Sequence, residues 1–201
     1  MPKLLLASTN AGKLREIRDL LQDMDFDICS PSELNIKLDV KEDGHTYAEN
    51  AASKALAFSH YAGLLSLADD SGLEVEALAG APGLYSARYF PKHGADDADR
   101  RSYLLSQLQG HPRPWSAKFH CTVSIATPEG DLYFTEGDCH GEIIPQERGF
   151  GGFGYDPIFL IPQKGLTMAE LSMAEKNRLS HRSRAVKNAI PLLMELLSNL
   201  D

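Results

Sequence analysis

Asp69 and Asp70 follow the apolar run LLSLA (64–68) and precede Ser71-Gly72, which sets hard oxygen donors at the end of an expected buried strand. Carboxylates there can hold a divalent cation or accept a proton from water. Adjacent residues leaving a strand point to opposite sides, so one of the two enters a given pocket directly. A second metal-facing carboxylate then has to come from elsewhere, and KEDG (41–44) offers Glu42. Hard oxygen ligands beside a phosphate site favour Mg²⁺. A solvated turn is the alternative reading of Asp-Asp-Ser-Gly, and the motif alone leaves both open.

The phosphate site comes from LLLASTNAGKLREI (4–17), an apolar strand, a small polar turn and an amphipathic helix. It resembles a P-loop without being one. Ala7 stands where the first glycine of G-x-x-x-x-G-K-[ST] belongs, and Leu14 replaces the magnesium-holding hydroxyl. The segment 8–13 still reads as an anion site. Backbone N–H groups at Ala11, Gly12 and Lys13 lie at the positive end of a helix, and Ser8, Thr9, Asn10 and the Lys13 ammonium surround them. An ordinary strand-to-helix turn capped by Asn10 is the bland alternative.

Two further stretches carry recognition chemistry. GFGGFGYDP (149–157) combines four glycines, which let backbone approach a ligand, with Phe150, Phe153 and Tyr155, whose flat faces suit a base. EKNRLSHRSR (175–184) sets His181 and Arg182 in the first turn of a helix that Ser180 can cap. Cations are unfavourable at that end unless an anion or acceptor is near, so a ligand carbonyl or phosphate is expected there.

The elements that must position these residues are legible in outline. Strands are expected over 3–7, 64–68, 118–126, 132–144 and in PIFLI (157–161). Helices are expected over 12–22, over 47–62 behind a Thr46/Glu49 capping box, and from about 181 onward. In the last helix Val186, Ala189, Ile190, Leu193, Leu196, Leu197 and Leu200 face inward, and Pro191 is expected to kink it. The hairpin over 118–144 puts Phe119, Cys121, Val123 and Ile125 on one face and Lys118, His120, Thr122 and Ser124 on the other. An α/β fold with a mixed sheet follows, because that hairpin is antiparallel.

Composition sets the context. The 201 residues fit one domain or two small lobes, and 43% hydrophobic residues fill a sizeable core. A formal charge of -8 argues against a nucleic acid polymer as partner. Cys29, Cys121 and Cys139 form no C-x-x-C pair, which suits a reducing compartment. Without a signal peptide or long apolar stretch, the expected setting is cytoplasmic, away from membranes.

In this order, LLLASTNAGKLREI, ENAASKA, ADDSGLEV, GAPGLYSARY, GGFGYDPIF and EKNRLSHR resemble the inosine triphosphate pyrophosphatase family over nearly the whole chain. The resemblance implies a single two-lobed domain over 1–201, with a long twisted mixed β-sheet flanked by helices and a cleft between the lobes. It also implies a homodimer and Mg²⁺-dependent hydrolysis of deaminated purine nucleoside triphosphates (ITP, dITP, XTP) to the monophosphate and pyrophosphate. Carried over residue by residue, it gives Ser8, Thr9, Asn10, Ala11, Gly12, Lys13 and Lys54 to the phosphates. Glu42 and Asp70 serve the metal, Asp70 is also general base, and Ser71 lies against substrate. Phe153, Gly154, Tyr155, Asp156, Lys176, His181 and Arg182 line the base and sugar pocket. His93, His111 and Pro191 receive no role.

The chemistry agrees. A triphosphate carries about four negative charges, which Mg²⁺ and two lysines neutralise. The sequence offers no convincing Ser-His-Asp or Cys-His arrangement for a covalent intermediate. Three rivals stand beside this reading: a Maf-like pyrophosphatase acting on modified pyrimidine or methylated nucleotides, a nucleotide-binding regulator without catalysis, and a zinc-stabilised module built on His120-Cys121 and Cys139-His140. Alternation lets at most one residue of each pair converge, leaving two ligands where structural zinc wants four.

Overall fold

The computed structural model describes residues 2–198. Its strands are β1 (Lys3–Leu6), β2 (Asp27–Cys29), β3 (Leu65–Val75), β4 (Trp115–Ala126), β5 (Leu132–Ile143), β6 (Phe159–Ile161) and β7 (Leu166–Thr167). Its helices are α1 (Ala11–Leu21), α2 (Tyr47–Ala62), α3 (Asp97–Gln107), α4 (Met173–Leu179) and α5 (His181–Ser198). The strands form one mixed sheet in the order β2-β1-β3-β4-β5-β6-β7, with β2 and β3 parallel to β1, and β6 antiparallel to both β5 and β7.

The chain divides into two compact units. The first takes the chain up to Asp70, Cys121–Gly137 and the chain from His181 on. Its sheet is covered on both faces, which is why β1 reads as an unbroken apolar run. Leu4 and Leu6 pack with Ile17 and Leu21 of α1 and Val186, Ala189 and Leu193 of α5. Leu5, one residue out of phase, packs with Ala55 and Phe58 of α2. The second unit, Ser71–His120 with Asp138–Ser180, has its own core of Leu73, Leu104, Trp115, Phe119, Ile143 and Phe159.

Caps fix the helices that carry function. The Asn10 side chain accepts from the Lys13 N–H at 3.0 Å and starts α1. Thr46 accepts from the Glu49 N–H at 3.1 Å to start α2, and left-handed Gly63 at φ 64° ends it. The expected capping box is shifted by one residue, because the Glu49 carboxylate takes the His45 N–H.

The main departure concerns Asp69 and Asp70. Leu65–Val75 is one continuous strand, so Asp-Asp-Ser-Gly lies inside β3 and not in a turn after it. Lys13 and Arg182 pair with Asp69 and the Asn50 amide donates to Asp70, and the strand survives a composition that reads as a loop. Thr122 and Ser124 are buried along with their neighbours, because the second face of β4 is covered too. Ser180, expected to cap the last helix, also ends α4, its N–H bonding the Lys176 carbonyl at 2.8 Å. α3 and α4 were not anticipated, although Asp96/Asp99 and Ser172/Glu175 form full capping boxes before them. α5 runs on through Pro191, and Leu200 lies outside the described residues.

Candidate active site

In the first unit the site is built around β3. The Asp69 side chain is fully buried and faces Lys13 Nζ at 3.1 Å and Arg182 Nε at 3.0 Å. Arg182 also grips Glu16 of α1. Burial by itself would push the Asp69 carboxyl up; Lys13, Arg182 and Lys54 reverse that and hold it far below the usual carboxylate range. Asp69 is therefore held in its ionised form and aims two cations.

Asp70 has different partners. Its Oδ2 accepts from Asn50 Nδ2 of α2 at 2.9 Å, and burial pushes its pKa up, against the pull of Lys54, Lys13 and the Asn50 bond. Neighbouring carboxylates on one strand are thus driven in opposite directions, the arrangement that separates a fixed charge from a proton acceptor. The divergence expected from strand alternation is present in these partner sets.

Asn50 was missed by sequence reasoning. Its Oδ1 accepts the Gly44 N–H at 2.9 Å while its Nδ2 serves Asp70, so one buried amide ties the 41–44 turn to β3. A Cβ at Gly44 would come within 2.8 Å of Asn50 Oδ1, so the approach requires glycine. The only available signal was an Asn in a helix interior four residues before a functional Lys, which is also an ordinary surface pattern.

Lys54 joins the remaining parts. Its ammonium bonds Glu42 and donates to the Asp69 carbonyl at 2.8 Å, a carbonyl that Lys13 Nζ reaches at 3.4 Å. Burial alone would lower the Lys54 pKa; Asp69, Asp70 and Glu42 raise it above its ordinary value instead. Among the described residues, no three of His, Cys, Asp and Glu gather as a ready-made metal cage. The donor set nevertheless fits Mg²⁺, which takes one or two protein carboxylates and completes its shell with water and substrate phosphate. Lys54 on Glu42 shows that this carboxylate already serves a cation.

Lys13 itself lies in the first turn of α1. Thr9, Asn10 and Ala11 are exposed, and Ser8, Gly12 and Lys13 half-buried. Ser8 and Asn10 use their side chains locally, Ser8 Oγ accepting the Asn10 N–H at 3.2 Å. The Thr9, Ala11 and Gly12 N–H groups have no hydrogen-bond partner among the described residues. Unpaired donors at the positive end of an eleven-residue helix without first-turn acids are a site for an anion.

His181 and Arg182 open α5 and are buried. The anion that balances Arg182 is supplied by the protein as Glu16 and Asp69, which corrects the expectation that its position demands a ligand carbonyl or phosphate. Its Nε donates to Asp69 and its Nη1 to Glu16.

In the second unit, Ser71 is half-buried on β3. Tyr155 is 4% exposed in the core, its hydroxyl donating to the Ser86 carbonyl at 2.9 Å, so its ring supports the glycine loop and offers no face to a base. Asp156 and Lys176 pair at 2.9 Å, both buried, and Asp156 also accepts the Phe153 N–H at 3.0 Å. Phe153 is half-buried with Lys176 Nζ 5.8 Å from its ring centroid, which leaves it as the aromatic face of the loop. Phe150 is fully exposed.

Comparison with known proteins agrees with the ordered motifs. The Ham1 family model matches residues 4–192. A dITP/XTP pyrophosphatase of Desulforamulus reducens is 47% identical over 96% of this chain and 96% of its own length. One of Geobacter sulfurreducens is 46% identical over 92% and 94%. The structure of a HAM1 protein from Coxiella burnetii superposes with a TM-score of 0.87 at 39% identity, covering 97% of this chain and 100% of its own. The Staphylococcus aureus Ham1 structure gives 0.81 at 37% identity, covering 99% and 100%. Matched by the family model over residues 4–192 and by relatives over nearly its whole length, the chain belongs to the Ham1 family.

Proposed function

We propose that this protein hydrolyses deaminated purine nucleoside triphosphates (ITP, dITP and XTP) to the monophosphate and pyrophosphate. The observation that carries the reading is the convergence of Lys13 and Lys54 on Asp69, beside Asp70 and below the unpaired N–H groups of α1. The first turn of α1 and the two lysines take the triphosphate charge. Asp69 holds Lys13 in place, and Asn50 holds Asp70. Asp70 orients a water molecule and accepts its proton, and its burial-raised basicity suits that task. Glu42 and Asp70 would hold Mg²⁺, which supplies polarisation of the phosphate oxygens and charge neutralisation. Ser71 lies against substrate. Phe153 stacks on the base, with Gly154, Tyr155, Asp156 and Lys176 shaping its loop, and His181 donates to the purine.

The enzyme acts as a homodimer on free nucleotides in the cytoplasm. Its acidic balance suits small substrates better than a nucleic acid polymer. The names of the relatives favour the purine reading over the Maf-like one. The test is pyrophosphate release across ITP, XTP, dITP, GTP, ATP and pyrimidine triphosphates, with and without Mg²⁺. Preference for ITP and XTP is expected, and equal turnover of ATP or a preference for pyrimidines sinks the reading.

A further inference from the structure

The glycine loop of the second unit is gripped on both sides of one residue. Gly154, in the left-handed region at φ 61°, donates its N–H to Asp97 Oδ2 at 2.7 Å, and its carbonyl accepts from Arg101 Nη1 at 2.8 Å. Asp97 and Arg101 lie four residues apart on α3 and so share one helix face. Arg101 is braced in turn by Glu147, with Nε at 2.8 Å and Nη2 at 3.0 Å from the two carboxylate oxygens. On the other side of Phe153, its own N–H is taken by Asp156.

Phe153 therefore stands between two anchored peptides, and the backbone from which its ring projects is held by bonds to charged groups. Charge-assisted bonds of this kind are about twice as strong as neutral ones, and the Arg101 side chain is only 12% exposed. A loop held by apolar packing alone would let the Phe153 ring re-aim, and an ångström of freedom at a recognition group is enough to blur selection.

We propose that Asp97 and Arg101 are positioning residues that set base preference, by clamping Gly154 so that Phe153 meets the purine in one orientation. This rests on the pyrophosphatase reading above.

The test compares Arg101→Ala, Arg101→Lys, Asp97→Ala and Glu147→Gln. Steady-state pyrophosphate release is measured with ITP and ATP, and hydrogen–deuterium exchange is followed over residues 150–156. Arg101→Ala and Asp97→Ala are expected to raise KM for ITP by about tenfold, change kcat by less than about threefold, and cut the ITP-over-ATP ratio by about tenfold. Exchange in the loop should quicken by about tenfold or more. Arg101→Lys, which keeps one donor for the carbonyl, should recover most of the ratio, and Glu147→Gln, which removes the charge of the brace on Arg101, should fall between wild type and Arg101→Ala in both readouts.

Unchanged loop exchange in folded Arg101→Ala overturns the clamp. Equal loss on ITP and ATP overturns its role in base preference and leaves only a structural one. Should Asp97→Ala fail to fold, the Arg101 pair decides alone. Wild-type protein that releases no pyrophosphate from ITP defeats the activity itself, and with it the base-preference proposal; loop exchange separates that failure from failure of the clamp.

Discussion

Asp69→Asn and Asp70→Asn are nearly identical substitutions at adjacent positions, yet the structure separates their consequences. The Asp69 carboxylate is fully buried between Lys13 at 3.1 Å and Arg182 at 3.0 Å. Removing one member of a buried ionic group costs about 3–5 kcal/mol, because the charges left behind stay desolvated. Asparagine keeps one acceptor oxygen, so we place the loss near the lower end, at about 3 kcal/mol. At this chain length that corresponds to a fall in Tm of roughly 6–12 °C. Asp70 is the opposite case. Burial disfavours its ionised form, and an amide oxygen can still accept from Asn50, so its substitution should change stability by less than about 1 kcal/mol. Turnover reverses the order: losing the base and a metal-facing charge should cost Asp70→Asn about 10³-fold or more, against about tenfold for Asp69→Asn. Urea unfolding and pyrophosphate release on the same samples check both halves. Equal losses of stability, or Asp69→Asn melting with the wild type, would refute the division between fixed charge and base.

Acid provides a second view of Asp69. Its folded pKa is depressed, so its stabilisation is complete above the unfolded value of about 3.9 and is lost as pH falls below it. The stability gap between wild type and Asp69→Asn, followed by urea midpoints from pH 7 to pH 3, should therefore narrow at the acid end. Asn50→Ala removes bonds to both Gly44 and Asp70 and should cost about 2–3 kcal/mol of stability, with kcat/KM down at least about tenfold; wild-type kinetics in the folded variant would contradict the bridge. Lys13→Ala should lower kcat/KM for ITP by the equivalent of about 2–4 kcal/mol. It should also lower Tm without ligand, because Lys13 is a partner of Asp69.

How much of this was legible depended on whether a role was written in one segment or two. The α1 cradle was readable because strand, Asn10 cap and Lys13 are contiguous, and the capped start of α2 followed from the Thr46/Glu49 pattern. The extent of β3 was not, because what keeps Asp69 inside a strand is Arg182, which lies 113 residues away. The partners of Arg182 were hidden for the same reason: a cation in a helix first turn calls for an anion, and sequence does not say that Glu16 supplies one from 166 residues upstream. Tyr155 looked like a ligand face because its composition matches one, whereas the bond to the Ser86 carbonyl makes it core. Asn50, Asp97 and Arg101 act through other residues and carry no local pattern of their own.

Those same long separations impose an order on biosynthesis. Every segment of the second unit has been made by Ser180, while the first still lacks α5. Between the synthesis of Asp69 and that of Arg182 a ribosome adds 113 residues, roughly 6–23 s at 5–20 residues per second. Throughout that interval Glu16 and Asp69 are on the nascent chain without the guanidinium that joins them, and Leu4, Leu6 and Ile17 lack the Val186 and Leu193 surface. The unit that carries Asp69 and Asp70 is thus the last to close, and a chain released early presents an acidic, half-covered sheet to the cell's quality-control proteases.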